Sequence, residues 1–68
     1  MSSITEITIH GGERYRVDGD IKDVERLILN AARGSIMEFA WFTEAQTGES
    51  LAINPDSVAM LRADSGAD

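Results

Sequence analysis

The sequence contains no cysteine and only one proline, one histidine, one tryptophan and one tyrosine. Without cysteine there can be no disulfide, no thiolate metal ligand and no cysteine nucleophile. No apolar run approaches the roughly 18 residues that a membrane-spanning helix needs, and the first residues do not follow the pattern of a signal peptide. We therefore expect a soluble, cytoplasmic protein.

Positive charge is also scarce, since 6 Lys and Arg stand against 12 Asp and Glu and give a net charge of −6. Binding to nucleic acid depends on Lys and Arg that neutralise phosphates, so we expect no nucleic-acid partner and no membrane partner. One hypothesis left open is an acidic regulator that inhibits a basic, nucleic-acid-binding partner. It requires one acidic face formed by Asp18, Asp20, Asp23, Glu25, Glu38 and Glu44.

Motifs for catalysis, cofactors and metals are missing. Asp18, Asp20 and Asp23 are close in sequence, but a calcium-binding loop that started at Asp18 would have Lys22 at its fifth position, where an acid is needed. His10 is a single potential ligand or base without marked partners. No phosphate-binding loop or dinucleotide fingerprint is present. We therefore expect no enzyme, no cofactor and no metal site.

The first two strands are predicted from the alternation of residues 4–9 and 14–17. A two-residue loop between them would mix apolar and charged residues on each face, because a shift of one residue inverts a strand. A three-residue loop at 10–12 keeps the faces separate and supplies a glycine for its left-handed position. The resulting register pairs Ile7 with Tyr15 and Thr5 with Val17.

An amphipathic helix is predicted over about residues 20–33. Asp20 is suited to be the N-cap, with its carboxylate accepting from the backbone N–H of Asp23. At 100° per residue one apolar stripe emerges, with Leu29 at its flank. The stripe contains Ile21, Val24, Leu27, Ile28, Ala31 and Ala32.

Apart from Tyr15, the aromatic residues are concentrated in MEFAWFTEA, residues 37–45. We predict that this stretch is part of a strand from Ile36 to about Glu44. A stacking platform for nucleic acid is disfavoured, because the neighbouring charges are negative. We predict that one face of the strand packs under the helix as core. That face carries Met37, Phe39, Trp41 and Thr43.

The opposite face of this strand would then hold apolar side chains that nothing covers. Burial of a Phe and an Ile against a partner contributes about 1.5–3 kcal/mol each, so a symmetric homodimer is one solution. The alternative is a bulge or an early end of the strand that turns Phe42 inward. The predicted interface consists of Leu29, Ile36, Glu38, Ala40 and Phe42.

Two further strands are predicted at residues 51–53 and 58–62, separated by a break at Pro55. The fold class is therefore α+β in the order ββαβββ, with a single antiparallel sheet and the helix on one face. We expect the last three strands to form a meander, because sequential strands usually neighbour each other. Residues 1–68 form one small domain with an ordered core at about 4–63 and frayed termini.

The order of these elements, together with the string LAINPDSVAMLRA at residues 51–63, resembles small uncharacterised bacterial proteins, often actinobacterial, that share a ββαβββ layout. The resemblance covers nearly the whole chain. It implies an architecture and no activity.

Three functions follow from these observations as hypotheses. The first is a homodimeric binding or structural module that acts by protein–protein interaction. The second is the acidic regulator of a basic partner, and the third is a small-ligand binder at a dimer cleft near Trp41.

Overall fold

The computed structural model describes residues 3–34 and 38–64. In this part of the chain the secondary structure follows the order ββαβββ, which confirms the α+β class. The elements are β1 (Ile4–Ile9), β2 (Arg14–Asp18), α1 (Ile21–Ala32), β3 (Ala40–Thr43), β4 (Ser50–Ile53) and β5 (Val58–Asp64), with a 3₁₀ turn (Pro55–Ser57) between β4 and β5. The aromatic strand is shorter than predicted, because β3 begins at Ala40.

The described strands form two antiparallel sheets instead of the expected single one. Their orders are β2-β1-β5 and β3-β4. The sheets meet at a bridge between Val17 and Glu44, beside which the N–H of Ala45 donates to the carbonyl of Arg16 at 2.8 Å.

The predicted meander of the last three strands is wrong, because β5 pairs with β1 and not with β4. The 3₁₀ turn between β4 and β5 redirects the chain. At the end of this turn the carbonyl of Ser57 accepts from the N–H of His10 at 2.8 Å. This hydrogen bond places the start of β5 next to the end of β1.

The β1–β2 hairpin has the predicted register and loop. Ile7 pairs with Tyr15, and Thr5 pairs with Val17. The N–H of Ile9 donates to the carbonyl of Glu13 at 3.0 Å, which leaves three residues in the loop. Gly12 has a φ of 93° and therefore occupies the left-handed position that favours glycine.

Gly12→Ala is expected to destabilise the protein by about 1 kcal/mol, because an alanine at positive φ is strained. Gly11→Ala is the matched control. A Cβ at either position meets no atom within 4 Å, and only Gly12 has a positive φ. Urea denaturation of the two variants measures the difference, and equal midpoints would contradict the left-handed assignment.

The helix α1 starts at the predicted N-cap. The carboxylate of Asp20 accepts from the N–H of Lys22 at 3.3 Å, however, and not from that of Asp23. Val24 and Ile28 are buried, whereas Leu27 is 47% exposed, so the predicted apolar stripe was too wide. Leu27 lies about 100° around the helix axis from Ile28, which turns its side chain away from the core.

The hydrophobic core combines side chains from both sheets and from α1. Its buried members are Ile7, Val17, Val24, Ile28, Ala40, Phe42 and Ile53. Thr5 is also completely buried, and its hydroxyl donates to the carbonyl of Gly19 at 2.9 Å. This hydrogen bond ties the centre of the core to the turn that precedes α1, so the buried polar group is satisfied.

Candidate interaction surface

The β3 strand is oriented opposite to the prediction. Ala40 and Phe42 are 3% and 6% exposed, and they pack in the core. Trp41 is 64% exposed and Phe39 is 47% exposed. The prediction that Phe39 and Trp41 pack under the helix is therefore wrong, and Met37, the third member of that set, lies outside the described residues.

The register of the β3–β4 hairpin explains this orientation. Ala40 pairs with Ile53 and Phe42 pairs with Leu51, whereas Trp41 pairs with Ala52. The apolar residues of β4 therefore share a face with Ala40 and Phe42. Burying Trp41 instead would also require a partner for its indole N–H.

The turn between β3 and β4 sets this register. The N–H of Glu44 donates to the carbonyl of Glu49 at 2.7 Å, and the N–H of Gly48 donates to the carbonyl of Glu44 at 2.9 Å. Four residues, 45–48, therefore lie in the turn. With an odd number of turn residues, Leu51 would have shared a face with Trp41.

The predicted interface does not form one surface. Ala40 and Phe42 are buried in the chain's own core, so their side chains are not accessible to a partner. Leu29 and Glu38 are exposed, but Leu29 is on α1 and Glu38 precedes β3. Ile36 lies outside the described residues. The orientation of β3 is the cause, because it turns Ala40 and Phe42 inward and Trp41 outward.

The outward side of the β3–β4 hairpin is a surface that we call the aromatic face. Exposed and buried residues alternate from Phe39 to Phe42, so Phe39 and Trp41 point to the same side. The aromatic face consists of Phe39, Trp41, Thr43, Ser50 and Ala52, all of which are exposed. Two large rings on the open side of a two-stranded sheet make it a candidate interaction surface.

The segment that carries the aromatic face is acidic, but alternation along the hairpin places Glu44 and Glu49 on the side of the sheet opposite to Trp41. Residues 38–61 contain no Lys or Arg, and their charged residues are Glu38, Glu44, Glu49 and Asp56. The ion pairs found among the described residues lie elsewhere and join Arg16 to Asp64, Arg26 to Asp23 and Arg62 to Glu6. Glu38 lines a cavity with residues of α1 and of the 3₁₀ turn, and Glu44 lines a cavity with Arg14 and Arg16, so neither carboxylate belongs to the aromatic face.

The outer edge of β4 is a second surface feature. In the described part of the chain, β4 pairs with β3 alone. The pair Glu44–Glu49 is hydrogen-bonded, and hydrogen-bonded and non-hydrogen-bonded pairs alternate along an antiparallel ladder. Leu51 and Ile53 therefore bond to β3, whereas the N–H and C=O groups of Ser50 and Ala52 point to the open edge.

This edge is short, at four residues, but its sequence lacks the other local features that protect edge strands from pairing. Natural edges carry charged residues, proline or a bulge. The sequence of β4, Ser-Leu-Ala-Ile, has none of these. In contrast, β2 contains Arg14, Arg16 and Asp18, and β5 carries charges and pairs with β1 through a bulge.

A cavity of about 210 Å³ opens beside β4, and its lining is mostly apolar. Its lining residues are Ile9, Tyr15, Leu51, Ala52, Ile53, Asn54 and Ser57. Trp41 does not line it, so the cavity does not coincide with the cleft that the sequence placed near Trp41. The cavity lies between the β1–β2 hairpin and β4.

The carboxylates that the acidic-regulator hypothesis requires on one face are distributed over separate elements. Asp18 ends β2, whereas Asp23 and Glu25 belong to the start of α1. Asp20 caps the helix, and the carboxylate of Glu44 accepts from the hydroxyl of Thr47 at 2.7 Å. This distribution weighs against a single DNA-like row.

Sequence reasoning missed the edge of β4. Alternation along one strand shows which residues share a face, but an open edge depends on which strands fail to pair, and that is a property of the tertiary structure.

Within residues 3–34 and 38–64, no group of three or more His, Asp and Glu side chains is arranged to hold a metal ion. Over the same residues, no helix is long and apolar enough to cross a membrane.

The geometry thus defines a small α+β domain with an exposed aromatic face and an open strand edge. Comparison of the chain with protein-family models, with curated proteins and with solved structures gave no match.

Proposed function

We propose that this protein is a non-catalytic protein-interaction module that acts as a homodimer through the open edge of β4. The observation that carries the proposal is the uncharged edge formed by Ser50 and Ala52, which lies next to an apolar cavity. An unprotected edge of this kind is a template for pairing with another strand. A second copy of the chain supplies an identical strand.

The register of the proposed dimer follows from the hydrogen-bonding pattern of β4. Two antiparallel copies related by a two-fold axis at Leu51 pair Ser50 of one chain with Ala52 of the other. These are the residues whose N–H and C=O groups point to the edge. Both pairs are hydrogen-bonded, and each bond contributes about 0.5–1.5 kcal/mol net. The result is one four-stranded sheet.

The same register brings apolar side chains together and keeps like charges apart. The two copies of Leu51 face each other in a non-hydrogen-bonded pair, in which side chains lie closest. Leu51 is half-buried and lines the cavity. The second chain therefore reduces the exposure of the Leu51 side chain and of the cavity. Glu49 lies opposite Ile53 of the other copy and not opposite a second Glu49.

The dimer is expected to be weak to moderate in affinity. Stable interfaces bury about 800 Å² per partner, and a pair of four-residue strands covers less than this even with the cavity included. We therefore expect a Kd on the order of micromolar. The net charge of −6 on each chain makes association stronger at higher salt, because salt screens the repulsion.

Ala52→Pro is expected to convert the dimer into a monomer. Proline has no N–H and is tolerated where a strand residue does not donate to its neighbour within the sheet. Because Ala52 forms a non-hydrogen-bonded pair with Trp41, the substitution removes edge bonds and leaves the β3–β4 ladder intact. Sedimentation equilibrium from about 1 to 100 μM measures the mass.

Ala52→Ser is the matched control, because it keeps the N–H and is expected to remain dimeric. Circular dichroism establishes that the proline variant is folded, and Ser50→Lys provides a second way to block the edge by charge. A wild-type protein that stays monomeric over this range overturns the proposal. So does a dimer that both Ala52→Pro and Ser50→Lys retain.

A further inference from the structure

The cavity beside β4 has the size of a site for a small ring compound. Its volume is about 210 Å³. A cavity of about 150 Å³ with an aliphatic and aromatic lining is large enough to hold benzene. In proportion, the cavity beside β4 has room for about eight or nine non-hydrogen atoms. It is present in the single chain, so an inference from it does not depend on the proposed dimer.

The walls of the cavity are apolar and come from both sheets. Ile9 and Tyr15 belong to the β1–β2 hairpin, whereas Leu51 and Ile53 belong to β4. Leu51 and Ile53 are two positions apart on one strand, so both side chains lie on the same side of β4. Tyr15 brings an aromatic ring to the opposite wall, and pairs of aromatic rings gain stability beyond the area that they bury. These walls therefore favour an aromatic ligand.

Hydrogen-bond donors are contributed to the lining by residues at the 3₁₀ turn. The Oδ1 of Asn54 accepts from the N–H of Asp56 at 2.9 Å, which leaves the side-chain N–H groups of Asn54 without a partner among the described residues. The hydroxyl of Ser57 makes no hydrogen bond within the same part of the chain either. Both groups can donate, so they suit a ligand that carries an acceptor such as a carbonyl oxygen.

The charge of the cavity and of the chain restricts the ligand further. Among the described residues, none that lines the cavity is charged, so an ionised group would lose water there without gaining a counter-ion. Glu13, whose carboxylate accepts from the hydroxyl of Tyr15 at 3.4 Å, adds negative charge near one wall. The net charge of −6 on the chain also repels anions. The ligand is therefore uncharged.

We propose that this cavity binds a small uncharged aromatic molecule that carries one hydrogen-bond acceptor. The ring of the molecule lies between Tyr15 and the apolar side chains of β4, and its acceptor oxygen faces Asn54 and Ser57. The site is separate from the aromatic face, because Trp41 does not line the cavity. Ligand binding is thus a second activity of the chain, beyond the proposed pairing of β4.

Acetophenone is a suitable probe, because it combines one aromatic ring with one carbonyl group and fits the volume of the cavity. Titrated into the full-length ¹⁵N-labelled protein, it is expected to shift the backbone amide resonances of residues 51–54 and 57 with a Kd of about 0.1–1 mM. Benzoate has the same ring and nearly the same size but a negative charge, and we expect its affinity to be at least about tenfold weaker. The indole N–H resonance of Trp41, the only tryptophan, is the internal control and is expected to stay in place.

Variants that fill the cavity separate this site from general hydrophobic binding. Ile9→Phe adds volume to a lining residue and is expected to weaken acetophenone binding at least about tenfold. Ile4→Phe is the matched control, because Ile4 is also a half-buried isoleucine of β1 but does not line this cavity; we expect a change of less than about twofold. Ser57→Leu blocks the cavity from the 3₁₀ turn, outside the core, and provides the test if Ile9→Phe does not fold.

Three results would overturn the proposal. These are the absence of saturable shifts around the cavity, equal binding of benzoate, or undiminished binding of acetophenone by the folded cavity-filling variants. Shifts centred on Trp41 would belong to the first case, because they would place the probe on the aromatic face. Sedimentation measures the oligomeric state separately, so a failure of acetophenone to bind leaves the proposed dimer untouched, and a monomeric protein leaves the cavity testable.

Discussion

Phe42→Ala is expected to lower the free energy of unfolding by about 3–5 kcal/mol, which is the usual cost of removing a buried phenylalanine. Phe42 is 6% exposed and packs against the core. A chain of 68 residues has a total stability of about 3–10 kcal/mol. The variant is therefore largely unfolded or close to it.

Trp41→Ala is the matched control, because Trp41 is the adjacent aromatic residue on the same strand. Its side chain is mostly exposed, so the cost is expected to stay below about 1 kcal/mol. Urea denaturation followed by circular dichroism compares the two, with Phe42→Leu as a milder variant that keeps the protein folded. A larger loss for Trp41→Ala than for Phe42→Ala would reverse the assignment of the two faces of β3.

Ile7→Ala is expected to cost about 2–5 kcal/mol. Ile7 is completely buried and lies in the central strand of the three-stranded sheet, between Tyr15 on β2 and Leu61 on β5. The side chain therefore contacts neighbours on every side, and little relaxation can fill the space that it leaves.

Ile4→Ala provides the comparison within the same strand. Ile4 is half-buried, lies on the opposite face of β1 and pairs with Asp18 and Asp64, so its loss is expected to cost less than about 1.5 kcal/mol. Thermal unfolding followed by circular dichroism gives both values. Similar losses in the two variants would show that the sheet is covered on both faces.

The β1–β2 hairpin and α1 could be predicted from local patterns. Ile7 and Ile9 share one face of β1, and Tyr15 and Val17 share one face of β2, so only an odd loop gives consistent pairing, and the observed loop has three residues. The helix has an acidic N-cap and one apolar side, both of which depend on residues close in sequence. The exposure of Leu27 was not predictable, because the width of the buried stripe depends on which elements pack against the helix.

The orientation of β3 was not predictable in the same way, because both of its faces carry an aromatic residue. One signal was available: the four-residue turn at 45–48 would place Leu51 and Ile53 on the face of Phe42 and Ala40. That turn length is not evident from residue types alone. Without the turn length, ring size alone favours Phe39 and Trp41 as the core residues. In the structure, Ala40 and Phe42 fill that space instead.

The amino-acid order alone thus establishes the class of fold, the sequence of elements, the first hairpin and the acidic, cysteine-free composition. The composition is read directly from the sequence, and the elements and the first hairpin depend mainly on residues near each other in the chain. The pairing of β5 with β1, the burial of Phe42 in place of Trp41 and the open edge of β4 were decided by the tertiary structure. Alternation specifies that a strand has two faces, but packing between distant segments selects which face becomes the core and which edge stays unpaired.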